Sequence, residues 1–144
     1  MRDEDFRRTD HLQQAVNVGV SVRDWQLRTP TMTMGKSWDT HCPFGPWITT
    51  TDELAAPGAL DLETWVNGEL RQSAATSDLI FDCDQIVEHI STAFTLEPGE
   101  VIVAGTPSGV GLWMTSQSWL KDADVVKIEI AGLGTIENRV VDER

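Results

Sequence analysis

Apolar and polar residues alternate through AVNVGVSV, residues 15–22, and that period of two predicts a strand. The following 25 residues, 23–47, carry three prolines and two glycines and read as a long loop region. Long ordered loops inside compact domains are usually functional. ITTTDEL, 48–54, predicts a short strand running into a turn. In LDLETWVNGELRQ, Asn67-Gly68 stands between extended flanks, and that dipeptide suits the positive φ angles of a type I′ hairpin turn. Residues 83–94 predict one helix, with Asp82 as N-cap, Gln85 three residues on, and Ile86, Ile90 and Phe94 at four-residue spacing. VIVAG, 101–105, predicts a short apolar strand. Near the C-terminus, Val126, Ile128 and Ile130 fall on one face and Lys127 and Glu129 on the other. Gly132 and Gly134 mark the turn of a second hairpin.

This pattern describes a strand-dominated α+β chain with one or two helices and no repeat. Its 144 residues suit one domain with a real core. Residues 1–14 are polar and read as an N-terminal extension, with the domain running from 15 to 144. The net charge of −12 repels a phosphate backbone and argues against nucleic acid as a partner. No apolar run approaches the ~20 residues of a membrane helix, and the N-terminus has no apolar signal core. Two cysteines make no disulfide framework. The expectation is a cytoplasmic protein with no membrane partner.

Three segments could carry chemistry. In Ser21-Val22-Arg23-Asp24-Trp25-Gln26, Arg23 offers a fork for a carboxylate and Gln26 an amide donor. The plainer alternative is a surface Arg23 paired with Asp24. In Gly35-Lys36-Ser37-Trp38-Asp39-Thr40, Lys36 could face an enolate or carboxylate; a solvent-exposed lone lysine is the plainer alternative. A phosphate loop is excluded there, because the glycine required upstream is replaced by Pro30. In Gly105-Thr106-Pro107-Ser108-Gly109-Val110-Gly111, the glycines permit close backbone approach and Thr106 offers a hydroxyl; a tight turn is the other reading. His41-Cys42 is not spaced as a metal site, and no G-x-S-x-G elbow is present.

Taken in order, SVRDWQ, GKSWDTHCPFGPWI, WVNGELRQ, TSDLIF, LEPGEVIVAGTPSGVG and EIAGLGTIENRVV resemble the successive motifs of the fumarylacetoacetate hydrolase family, from about Asn17 to the C-terminus. The resemblance implies a mixed β-roll, usually dimeric, and a divalent metal: Mg²⁺ or Mn²⁺, with Ca²⁺ in some members. It implies small oxo or diketo acid substrates, of the kind met in the catabolism of aromatic compounds. The chemistry would be C–C bond hydrolysis, decarboxylation or keto–enol isomerisation through a stabilised enolate. Carried over residue by residue, Arg23 and Gln26 match the substrate-binding residues, Lys36 the active-site lysine and Thr106 the threonine that holds the substrate carboxylate. Lys36 and Thr40 match positions beside a second cation in some members. The family's metal ligands are a Glu-x-Glu pair upstream and the Asp before V-S-x-R. Glu4, between Asp3 and Asp5, does not form that pair, and Gly19 stands at the Asp position. The resemblance therefore implies an N-terminally truncated or degenerate catalytic domain with impaired or no activity. An enzyme that completes its site with groups from a partner or from residues 3–5, and a non-catalytic assembly module keeping the family's dimer surface, are the alternatives.

Overall fold

The computed structural model describes residues 13–54 and 58–142. The polar extension, except for its last two residues, and Glu4 with its neighbours lie outside the described residues. The elements run β1 (Gln14–Asn17), α1 (Arg23–Gln26), β2 (Phe44–Thr49), β3 (Asp61–Val66), β4 (Glu69–Ala75), α2 (Cys83–Ser91), β5 (Val125–Ile130) and β6 (Gly134–Arg139). Short 3₁₀ turns cover Thr33–Lys36, Thr76–Asp78 and Gly111–Trp113. This is the expected strand-dominated α+β architecture, arranged among the described residues as two sheets and two α-helices.

β1 pairs antiparallel with β2, and the larger sheet has the order β4-β3-β5-β6 with every neighbour antiparallel. The register across β3 and β5 sets Leu62 opposite Ile130, Thr64 opposite Ile128 and Val66 opposite Val126, so one face of that sheet is apolar. That face, with Val16, Val18, Leu54, Leu60 and Leu133, forms the core. Each such side chain, fully buried, stabilises the fold by about 1.5–3 kcal/mol. The opposite face is polar: Lys127 lies over the Trp65 ring at 4.5 Å and pairs with Glu129 at 3.0 Å.

Both hairpins form where the turn chemistry places them. Asn67 and Gly68 have φ of 52° and 80°. The Asn67 side chain also accepts from Val125 N and donates to Asp124 Oδ1, each at 2.9 Å. This ties the tip of the first hairpin to the start of β5. Asp82 caps α2 by a reciprocal box with Gln85, at 2.8 and 3.0 Å.

Four expectations need correction. VIVAG is not a strand: it makes no ladder among the described residues, and Val101 and Val103 are 57% and 53% exposed. Apolar composition alone does not form a strand without a partner edge. The second strand covers 44–49 rather than 48–54, because its partner is β1 and that pairing runs from Phe44 to Thr49. The helix stops at Ser91, and its inward face is Cys83, Ile86, Val87 and Ile90; Phe94 is 68% exposed. The prolines of the "loop" 23–47 also did not prevent local order, since it contains α1, a 3₁₀ turn and the start of β2.

Candidate functional site

The extended character of β1 continues past Asn17. Val18 N donates to Pro43 O, Val20 N to His41 O and Val22 N to Gly35 O, at 2.9–3.0 Å. Val16, Val18 and Val20 pack into the core. By the period of two, Asn17, Gly19 and Ser21 face the other way. On that side Asn17 Nδ2 donates to Cys42 Sγ at 3.3 Å, and Lys36 Nζ donates to Gly19 O at 3.3 Å. The Ser21 hydroxyl is buried with no hydrogen-bond partner.

The chain then turns through α1, which carries Arg23 and Gln26 on one side, three residues apart. Gln26 is only 8% exposed. Its Oε1 accepts from Arg23 Nη1, and no described hydrogen bond uses its amide N–H₂ group. Asp24 pairs with Arg28 at 3.3 Å, and Arg28 lies over the Trp25 ring. The alternative of an Arg23–Asp24 surface pair is therefore overturned. Trp25 meets Trp38 edge-on at 5.9 Å, joining α1 to the segment after Lys36.

Gly35 brings Lys36 to this turn. A Cβ on Gly35 would lie 2.4 Å from Gln26 Cα, a separation that only a glycine allows. Burial pushes the Lys36 ammonium below its ordinary pKa, the Arg23 charge lowers it further, and Cys42 acts in the opposite direction. Arg23 and Lys36 thus share one electrostatic field. Among the described residues neither is ion-paired. Two unneutralised cations, a buried amide and an unpartnered hydroxyl make a site suited to an anion.

Thr106 stands in a different cluster. Its hydroxyl accepts from Gln72 Nε2 at 3.0 Å, and the same amide donates to Pro107 O at 2.9 Å. Gly109 presses on β4, where a Cβ would lie 2.0 Å from Arg71 O. This loop borders an open groove of about 810 Å³ lined by Thr106, Ser108, Trp113, Met114, Thr115 and neighbouring residues. The described hydrogen bonds of Thr106 go to β4, not to Arg23, Gln26 or Lys36. Thr40 lies in the exposed turn after Trp38 with φ of 63°. Sequence reasoning missed Ser21, Cys42 and Gln72. The alternation from Val16 could have placed Ser21 beside Gly19; nothing in WVNGELRQ marked Gln72.

The donor set does not fit a divalent metal. Among the described residues no three His, Cys, Asp or Glu side chains converge. At the family's Asp position Gly19 offers only a carbonyl, which already accepts from the Lys36 ammonium. The Lys36 ammonium bonded to that carbonyl is cationic and would repel a metal ion.

The family model described as fumarylacetoacetate (FAA) hydrolase C-terminal matches residues 15–141. Oxaloacetate tautomerase YisK of Bacillus subtilis is 42% identical over 121 residues, covering 84% of this chain but 40% of that protein. The chain thus spans well under half the length of this curated relative. The 5-carboxymethyl-2-hydroxymuconate delta-isomerase of Mycobacterium smegmatis superposes with a TM-score of 0.81 at 39% identity, covering 92% of this chain and 49% of that one. Fumarylpyruvate hydrolase of Pseudomonas aeruginosa, solved with Mn²⁺ and pyruvate, gives 0.79 at 28% identity, covering 91% and 55%. With the motifs, the two-sheet fold and these likenesses in agreement, the chain belongs to the fumarylacetoacetate hydrolase family, over that family's C-terminal domain.

Proposed function

We propose that this chain carries the anion-binding portion of an oxo-acid site, and that by itself it is impaired or inactive as a catalyst. The observation that carries this reading is the pair of unneutralised cations, Arg23 and Lys36, around the buried Gln26. In that reading the substrate is a small oxo or diketo acid. Arg23 and the Gln26 amide bind its carboxylate and keto oxygens. Lys36 stabilises the charge that gathers on oxygen as a proton or carbon substituent leaves the neighbouring carbon. By the family resemblance Thr106 holds the substrate carboxylate, although its described bonds go to Gln72. Hydrolysis, decarboxylation and keto–enol isomerisation all pass through such an enolate, so this half of the site suits each of them. A divalent ion belongs to the family reading, and the Mn²⁺ complex of the fumarylpyruvate hydrolase is in keeping with it. No step is assigned to a metal here, because the described residues do not supply its carboxylates.

The test is the keto–enol equilibration of oxaloacetate followed by ultraviolet absorbance. The expected result is slow or no acceleration by this chain, with any acceleration lost in Lys36→Ala and Arg23→Ala. Turnover that survives both substitutions would remove these residues from the site.

A second reading is an assembly module that keeps the family's dimer surface. It is favoured by Phe44, Trp47 and Ile48, which leave large apolar side chains exposed along β2. A homodimer is the expected form, and a clean monomer in light scattering would count against it. No helix among the described residues is long and apolar enough to cross a membrane. A cytoplasmic location remains part of the proposal.

A further inference from the structure

The charge balance at Gly19 reaches beyond the family reading. An aspartate at this position would place a carboxylate beside the Lys36 ammonium. Space exists for it: a Cβ on Gly19 would sit 3.8 Å from Lys36 Nζ, an ordinary contact, with no positive φ to oppose a side chain. Glycine leaves that ammonium uncompensated. Its described hydrogen bond goes to a neutral carbonyl, and the next charge in its field is the Arg23 guanidinium. Ser21, two residues on and on the same side of the extended segment, adds a buried hydroxyl without a partner. A site with these groups attracts an anion directly and opposes a divalent cation.

We propose that this site takes small planar dicarboxylate and 2-oxo-carboxylate anions without a divalent metal, held by the Lys36 ammonium, the Arg23 guanidinium and the Gln26 amide. The proposal rests on the oxo-acid reading above and sharpens it: the charge that a metal would supply comes from fixed side chains. Binding would be local in origin, because the chain as a whole carries a net charge of −12 and repels anions elsewhere.

Oxalate is the probe, titrated into the 144-residue chain while tryptophan fluorescence is followed. Trp25 adjoins Gln26 in α1 and Trp38 follows Lys36 by two residues, so their emission is the signal followed. One titration contains EDTA and the other Mn²⁺, each plotted against free oxalate. Saturable binding in EDTA, not strengthened by Mn²⁺, is the expected result. Binding only with Mn²⁺ overturns the metal-free proposal and leaves the oxo-acid reading standing. No binding in either titration refutes both.

Two variants separate charge from shape. Gly19→Asp should weaken oxalate binding in EDTA about ten-fold more than Gly19→Asn does, the scale of one carboxylate placed within a few ångströms of a cation. Equal losses in the two variants would show that space, not charge, governs position 19 and would overturn the proposal. Circular dichroism of both variants confirms that a loss is not unfolding.

Discussion

Replacing Gly35 by alanine probes the contact that places Lys36 against Gln26. The added Cβ would lie 2.4 Å from both Cα and Cβ of Gln26 and 2.5 Å from its nitrogen. Ordinary carbon contacts lie near 3.5–4.0 Å, so the two segments must separate by about 1 Å or more. Overpacking of this kind costs about 1–3 kcal/mol, and the upper end applies because the obstacle is mainly backbone, which cannot rotate away. The move also strains the bond from Val22 N to Gly35 O, 2.9 Å long, that closes the turn. For a chain of this size 1 kcal/mol corresponds to roughly 3–5 °C, so the melting temperature should fall by about 9–15 °C. Oxalate affinity should fall with it, because Arg23, Gln26 and Lys36 no longer share one geometry. Gly19→Ala is the matched control, since its Cβ meets Lys36 Nζ at 3.8 Å, and its melting temperature should stay within about 2 °C of the parent. Scanning calorimetry and the fluorescence titration read the two effects. A Gly35→Ala protein that melts and binds like the parent would refute the close approach and the placement of Lys36 that depends on it.

Further outcomes follow from other residues. Burial and the Arg23 charge lower the Lys36 pKa from 10.5, so oxalate binding, which needs the ammonium, should fade with rising pH before an ordinary lysine would titrate. In the same window the folded state releases its proton before the unfolded state does, so stability contributed by this group rises with pH; a proton-release measurement on unfolding checks the sign. Asn67→Ala removes two hydrogen bonds and leaves a positive φ on a residue that tolerates it poorly; urea unfolding should show a loss of about 1–3 kcal/mol. The same variant should return the Asp124 carboxyl, now held below its ordinary pKa chiefly by Asn67, toward the ordinary range in an NMR titration. Asp82→Ala breaks the capping box of α2 and should cost about 1 kcal/mol, with Asp82→Asn losing much less.

Features that depend on neighbours in sequence were legible, and those that depend on a distant partner were not. The Asn67-Gly68 turn, the Asp82 cap and the two faces of β5 follow from local chemistry and form as the sequence predicts. VIVAG looked like a strand because its residues favour one, yet a ladder also needs an edge to pair with. The start of β2 was misplaced for the same reason: Phe44 is set by Asn17, 27 positions away, not by its own flanks. In the site, Arg23 and Gln26 could be linked by their spacing. That Gly35 admits Lys36 to the same turn could not, because it depends on how closely two backbones approach. Thr106 is marked by its glycine-flanked loop, but its anchor on Gln72 lies across the fold.

That anchor has a consequence for what Thr106 can recognise. A hydroxyl has one proton to give and lone pairs to receive with. Gln72 occupies the receiving side, and its second bond to Pro107 O keeps the amide from turning away. With one lone pair filled by Gln72, the proton stays available to an acceptor in the groove. A ligand presenting a carboxylate or keto oxygen is matched by that proton. Gln72→Glu would reverse that polarity, because a carboxylate in place of the amide would accept the hydroxyl proton and leave only lone pairs exposed.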